Sequence, residues 1–208
     1  MSWQDIPGWF SFGHAYDAMV DAAVDGDTIV EVGVAFGRSL AYLARRVLDS
    51  GKRVRVYAVD PWIDDRWEFP VDYPLDAPRP SWGGEHAGWA RQCGGPFSAF
   101  LACMTKHAPQ ELEFVRVLRC RSTDAARMIG PCRGVLIDGN HDYEAVAQDI
   151  AIWRPHVVPG GILAGDDWSS PEFEGVVRAC DEAFGGRGGY EQRGTTWLKR
   201  SSPPRGRP

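Results

Sequence analysis

Ile29-Val30-Glu31-Val32-Gly33-Val34-Ala35-Phe36-Gly37-Arg38-Ser39 is the stretch that decides the fold. Its apolar, β-branched start reads as a buried strand, Thr28 to Val32, interrupted by one acid. Two glycines follow, and a helix runs from Ser39 to Leu48. Such a turn brings the backbone close to a ligand, and the helix aims unpaired N–H groups into the same space. The stretch predicts a cradle for a nucleotide-like cofactor.

Upstream, His14 to Val24 carries Ala15, Met19, Val20 and Ala23 at helical spacing, and Asp25-Gly26-Asp27 turns the chain into the strand. Downstream, Val54 to Val59 reads as a second strand ending at Asp60. Strand, helix, strand at this spacing is a right-handed parallel crossover. The pattern then breaks over residues 61–96, where Trp62, Trp67, Trp82 and Trp89 stand among prolines and glycine pairs. Disordered loops are poor in aromatics, so this insertion is expected to be an ordered lid or an oligomer contact, consistent with a homodimer.

Regular patterning resumes with a helix at Phe97 to His107, a strand at Leu112 to Leu118 and a short helix at Thr123 to Ile129. A strand at Gly134 to Ile137 ends at Asp138, and Tyr143 to Trp153 is helical. Pro159-Gly160-Gly161 reads as a turn into strand Ile162 to Ala164, which leads to Asp166-Asp167-Trp168. A last helix, Glu172 to Phe184, precedes a hairpin around Gly194. This alternation predicts an α/β, Rossmann-like, doubly wound and mainly parallel seven-stranded sheet with a C-terminal antiparallel hairpin. Residues 1–200 form one domain, and 201–208 read as a disordered tail.

Composition narrows the setting. The chain has 208 residues, 44% hydrophobic, enough for one well-cored domain. A net charge of -5 supplies no basic field, so no nucleic-acid partner is expected. No apolar run is long enough for a membrane span, and the N-terminus lacks a signal-peptide pattern. Five scattered cysteines without a C-x-x-C pair suit free thiols in a cytoplasmic protein.

Ligands of doubly wound sheets bind beyond the carboxyl ends of the strands, and Glu31, Asp60, Asp138, Asp166 and Asp167 all fall there. The turn reads E-x-G-x-x-x-G-x-S and lacks the middle glycine of a dinucleotide fingerprint. Its leading acid repels phosphate and suits a cation or a ligand ammonium group. Asp60 is placed to accept hydrogen bonds from ribose hydroxyls.

On these residues the chain resembles the class I S-adenosylmethionine-dependent methyltransferases. The resemblance implies that Glu31, Gly33, Gly37 and Ser39 line the methionyl side of the cofactor and that Asp60 takes the ribose. It also puts Ser122, with Thr123 and Asp124, at the adenine edge, and Asp138 on the same rim.

Strand four ends Asp138-Gly139-Asn140-His141, and strand five ends Asp166-Asp167. Acids on adjacent strand ends can converge on one hard cation, and oxygen donors without cysteine select Mg²⁺ or a similar ion. Helix capping is the simpler account for Asp142 and Asp167, but not for two successive acids beside Asp138. The two motifs resemble the metal-dependent small-molecule O-methyltransferase branch, including enzymes acting on macrolide sugars. That implies Asp138, Asp166 and Asp167 as metal ligands.

His141 is the candidate general base, because a neutral imidazole near pH 7 can take the proton of an attacking hydroxyl. The expected activity is Mg²⁺-assisted methyl transfer to a hydroxyl of a small molecule such as a sugar, phenol or natural product. Two alternatives stay open at this point: an NAD-dependent oxidoreductase on a similar sheet, and a non-catalytic binding protein on a methyltransferase scaffold.

Overall fold

Alternation along one strand sets out the architecture. In β1 (Thr28–Val32), Ile29 packs into one hydrophobic cluster while Val30 and Val32 pack into another. Both faces of the strand are therefore covered, as a central parallel strand requires. The computed structural model describes residues 2–63, 90, 92–168 and 173–202. Its other strands are β2 (Arg55–Val59), β3 (Arg116–Leu118), β4 (Cys132–Ile137), β5 (Val157–Gly165), β6 (Glu191–Arg193) and β7 (Thr196–Arg200).

All seven form one sheet in the order β3-β2-β1-β4-β5-β7-β6. Strands β1 to β5 pair in parallel, and β7 runs antiparallel to both β5 and β6. The expected doubly wound sheet with a closing hairpin is what the chain forms. One face is covered by α1 (Gly13–Ala22), α2 (Arg38–Ser50), α3 (Pro96–His107) and α4 (Pro109–Phe114). The other carries α5 (Ser122–Met128), α6 (Tyr143–Trp153) and α7 (Glu174–Phe184). Strand order reverses at β1 and β4, whose ends sit side by side, with Val32 opposite Ile137 and the Asp138 N–H donating to the Val32 carbonyl at 2.7 Å. A crevice at such a switch point is the usual ligand site of the architecture.

Two elements differ from the sequence reading. The strand expected at Leu112 to Leu118 is only Arg116–Leu118, because α4 occupies its first part. Pro109 at the first helical turn favours that helix, and buried Glu111 is drawn down by Arg45 of α2, whose Nε donates to it at 2.7 Å. The expected turn at Pro159-Gly160-Gly161 instead lies inside β5, opposite a register shift between Cys132 and Gly134. A β-bulge lets the strand bend without ending. Gly160 donates to the Ser201 carbonyl and Ser201 to the Gly161 carbonyl, so Ser201, read as the start of the tail, is tied to the sheet.

Most of the tryptophan-rich insertion, including Trp67, Trp82 and Trp89, lies outside the described residues, as do residues 203–208 of the tail. All five cysteines are free, and no helix among the described residues is long and apolar enough to cross a membrane.

Candidate active site

Period-two geometry determines where Glu31 goes. It shares the face of Ile29, so it points under α1 and α2 rather than out of the crevice. Glu31 is completely buried, and Ser39 Oγ of α2 donates to its Oε1 at 2.6 Å. Its Oε2 and the nearby hydroxyl of buried Tyr16 on α1 are left without a hydrogen-bond partner. Burial, and secondarily the charge of Asp60, push the Glu31 carboxyl up to about 8 against the opposing pull of the Ser39 hydroxyl. A carboxylate in that setting favours a cation nearby.

Above it, the turn is as tight as its glycines imply. Gly33 has φ 84°, and a Cβ there would lie 2.0 Å from the Asp138 carbonyl oxygen. Gly37 has φ 92°, and its Cβ would meet Met104 Sδ of α3 at 2.6 Å. The first glycine thus lets the turn lie against the end of β4, and the second lets α3 close over it. Gly37 is also the residue before α2 and makes no side-chain cap, which leaves the first-turn N–H groups for a ligand.

Asp60 holds the turn in shape. Its Oδ2 accepts the N–H groups of Val34 at 2.8 Å and Ala35 at 3.1 Å, and its Oδ1 accepts the Trp62 N–H at 2.6 Å. Trp62, read from sequence as the first aromatic of a lid, is instead a core residue at 4% exposure, packed on Phe97 and Phe100. Its indole Nε1 donates to the Ala35 carbonyl at 2.9 Å. Ala35 and Trp62 both have positive φ, at 48° and 45°. Backbone strain of this kind tends to collect at functional sites.

The acids of β4 and β5 meet next to this turn. Asp138, His141 and Asp167 each offer a donor atom within 4.8 Å of the others. His141 Nε2 lies 3.2 Å from Asp167 Oδ2, and the buried imidazole ring packs tilted against Phe173 with centroids 4.7 Å apart. Asp167 reaches this position through a left-handed backbone, φ 59°. Half-buried Asp138 has its carboxyl pushed well above the usual range, first by desolvation and then by the charges of Asp166, Asp167 and Glu31.

Asp166, expected alongside them, is not gathered into this group. Thr195 Oγ1 donates to its Oδ1 at 2.5 Å and Ser11 Oγ to its Oδ2 at 3.3 Å. Successive residues at a strand end point to opposite sides, which separates Asp166 from Asp167. Asp142 precedes α6 but makes no side-chain cap bond, so the capping account fails there. Ser122 opens α5, and its Oγ accepts the Trp153 indole N–H at 2.8 Å.

Sequence reasoning missed Tyr16, which is fully buried beside Glu31. Tyr16 carried a signal, since its helical register with Met19 and Val20 placed it on the buried face of α1.

A 3-2-1-4-5-7-6 sheet with an acid–glycine turn at its switch point defines the class I methyltransferase architecture. A family model described as a methyltransferase domain matches residues 30–168, and the chain belongs to that family. It is an S-adenosylmethionine-dependent methyltransferase, which sets aside the nicotinamide alternative. No protein of curated function matches it by sequence.

Among solved structures, the O-methyltransferase NovP is 19% identical, with a TM-score of 0.58 over 91% of this chain and 77% of that one. An rRNA methylase from Streptococcus thermophilus is 12% identical, with a TM-score of 0.55 over 94% and 100%. CalS11, a TDP-rhamnose 3'-O-methyltransferase of calicheamicin biosynthesis, is 16% identical, with a TM-score of 0.52 over 90% and 75%. At these identities the likeness is one of fold.

Proposed function

We propose that this methyltransferase acts on a hydroxyl of a small molecule, such as a sugar, phenol or natural product, with a divalent cation of the Mg²⁺ kind. One observation carries the reading: the cofactor turn abuts the acid cluster, since Gly33 touches the residue, Asp138, that begins it. A methyl donor in the turn and an acceptor at the cluster would be neighbours. The net charge of -5 favours a small acceptor over RNA, and the names of NovP and CalS11 fit a hydroxyl acceptor.

The residues present fit the cofactor. Buried Glu31 lies beneath a turn whose Gly33 and Gly37 admit no side chain, and its carboxyl ionises more readily beside a positive charge. S-adenosylmethionine supplies an electrophilic methyl group on a sulfonium. Glu31, through the field under the turn, favours its positive charge, and the N–H groups opening α2 suit its carboxylate.

The cluster also fits a cation, because its carboxylates are crowded and Asp138 is destabilised as an anion. Asp138 and Asp167 would hold that ion, which would lower the pKa of an acceptor hydroxyl. His141 then takes the hydroxyl proton on one ring nitrogen while Asp167 orients the ring through the other, and Phe173 holds the imidazole in place. The 4.8 Å cluster supports a second reading in which His141 is itself the third cation ligand.

A thermal-shift matrix of S-adenosylhomocysteine, NAD and Mg²⁺, each with and without EDTA, tests cofactor and cation together. Stabilisation by S-adenosylhomocysteine and by Mg²⁺, with none by NAD, is expected. Asp167→Asn should abolish the Mg²⁺ shift. His141→Ala should lose turnover while keeping that shift if it is the base, and lose both if it is a ligand.

A further inference from the structure

Thr195 grips the chain on both sides of Asp167. Its hydroxyl donates to Asp166 at 2.5 Å, and its carbonyl accepts the Trp168 N–H at 2.7 Å. Ahead of Asp167 the sheet already fixes the backbone, since Gly165 is paired with Ile137 of β4 and with Trp197 of β7. Beyond it strand β5 has ended, and the left-handed turn at φ 59° depends on how Trp168 is held. Such a backbone persists where its surroundings over-determine it.

Trp168 is held by a chain of side-chain hydrogen bonds. Its indole Nε1 donates to the Tyr190 hydroxyl at 2.8 Å, and that hydroxyl donates to Asp181 Oδ1 of α7 at 2.7 Å. Each bond sets the direction of the next: Asp181 takes the Tyr190 proton, which leaves the phenol oxygen to accept from the indole. Tyr190 is buried, and desolvation followed by the Asp181 bond pushes its hydroxyl up to about 12, so the proton stays on it. Arg187 lies over the Trp168 ring at 4.7 Å and within 3.6 Å of Asp181 Oδ2, which closes the network. Phenylalanine at positions 168 and 190 would fill much of this space with no buried polar group to satisfy.

We infer that Tyr190 and Asp181 are positioning residues for Asp167, acting through Trp168 to hold its carboxylate where it meets His141 and a divalent cation. The inference rests on the cation reading above and extends it from the crevice to α7 and the segment before β6. Outer partners of a metal-binding group set its orientation, and their loss weakens metal affinity roughly ten- to a hundredfold.

The test is titration calorimetry of the full chain with Mg²⁺ and, separately, with S-adenosylhomocysteine. Tyr190→Phe should weaken Mg²⁺ binding about tenfold and leave S-adenosylhomocysteine affinity within about twofold. Trp168→Phe should match it, and the double variant should be no worse than either alone. Asp181→Ala should show the same loss, whereas Asp181→Asn keeps an acceptor for Tyr190 and should restore Mg²⁺ affinity. Both Asp181 variants remove the charge, so their difference reads the hydrogen bond and not a long-range field.

Should Tyr190→Phe not fold, the two Asp181 variants carry the same test from a partly exposed position. Wild-type Mg²⁺ affinity in Tyr190→Phe and Asp181→Ala, or an equal loss of Mg²⁺ and S-adenosylhomocysteine binding, would overturn the inference and leave the cation reading standing. Absence of Mg²⁺ binding by the wild-type chain would overturn the cation reading and this inference with it.

Discussion

Gly33 shows how one residue can carry both the fold and the site. Its φ of 84° is strained for any L side chain, and an added Cβ would sit 2.0 Å from backbone that cannot swing away. Overpacking and left-handed strain add, so Gly33→Ala should lower stability by about 3 kcal/mol in urea unfolding. It should also remove the thermal shift by S-adenosylhomocysteine, because the turn must move off Asp138. Gly37→Ala is the milder case. Its Cβ meets the flexible end of Met104, which can rotate aside, so its loss should be roughly half as large, with binding weakened rather than lost. Equal effects of the two substitutions would contradict this account.

At the scale of elements, the C-terminal hairpin reaches the chemistry through Asp166. Ser11, ahead of α1, and Thr195, in the turn before β7, both donate to its carboxylate, and the Trp168 N–H donates to the Thr195 carbonyl at 2.7 Å. The strand end is thus braced on both sides of Asp167, the residue held at φ 59°. Asp166→Ala should cost about 1–3 kcal/mol of stability yet keep the thermal response to Mg²⁺, the opposite pattern to Asp167→Asn. If Asp166→Ala alone removed the Mg²⁺ response, Asp166 would be a ligand after all.

The same scale shows what the sequence made legible. Strand ends and their acids were readable because hydrophobic alternation stops abruptly at Asp60, Asp138 and Asp166. Which of two neighbouring acids turns inward was not, because that depends on the left-handed backbone at Asp167 and on hydroxyls about 155 and 29 positions away. For the same reason Trp62 read as a lid residue. Its burial comes from Phe97 and Phe100, on a helix that follows the whole insertion. α4 was missed because local strand propensity in Leu112 to Val115 is outweighed by a long-range ion pair between Glu111 and Arg45.

For the molecule as a whole, raised carboxyls set the direction of its pH dependence. Glu31 is pushed from 4.5 to about 8 and Asp149 from 3.8 to about 6, and Asp138 is raised well above 3.8. Each such group holds a proton in the folded chain at pH values where the unfolded chain has released it. Stability from these groups is therefore complete below about pH 4 and falls as pH rises, by up to roughly 1.4 kcal/mol per unit for each group still titrating. Urea midpoints should be higher at pH 5.5 than at pH 8.5.

Glu31→Gln keeps an acceptor for Ser39 and removes one titration, so it should flatten the slope between about pH 5 and pH 8. A cationic ligand favours ionised Glu31, so stabilisation by S-adenosylmethionine should grow with pH over the same range in the wild type and change less in Glu31→Gln. Stability that rises towards pH 8.5 in the ligand-free chain would mean that these carboxyls are already ionised in the fold. The acid under the turn would then be a fixed charge rather than one that ionises when the cofactor arrives.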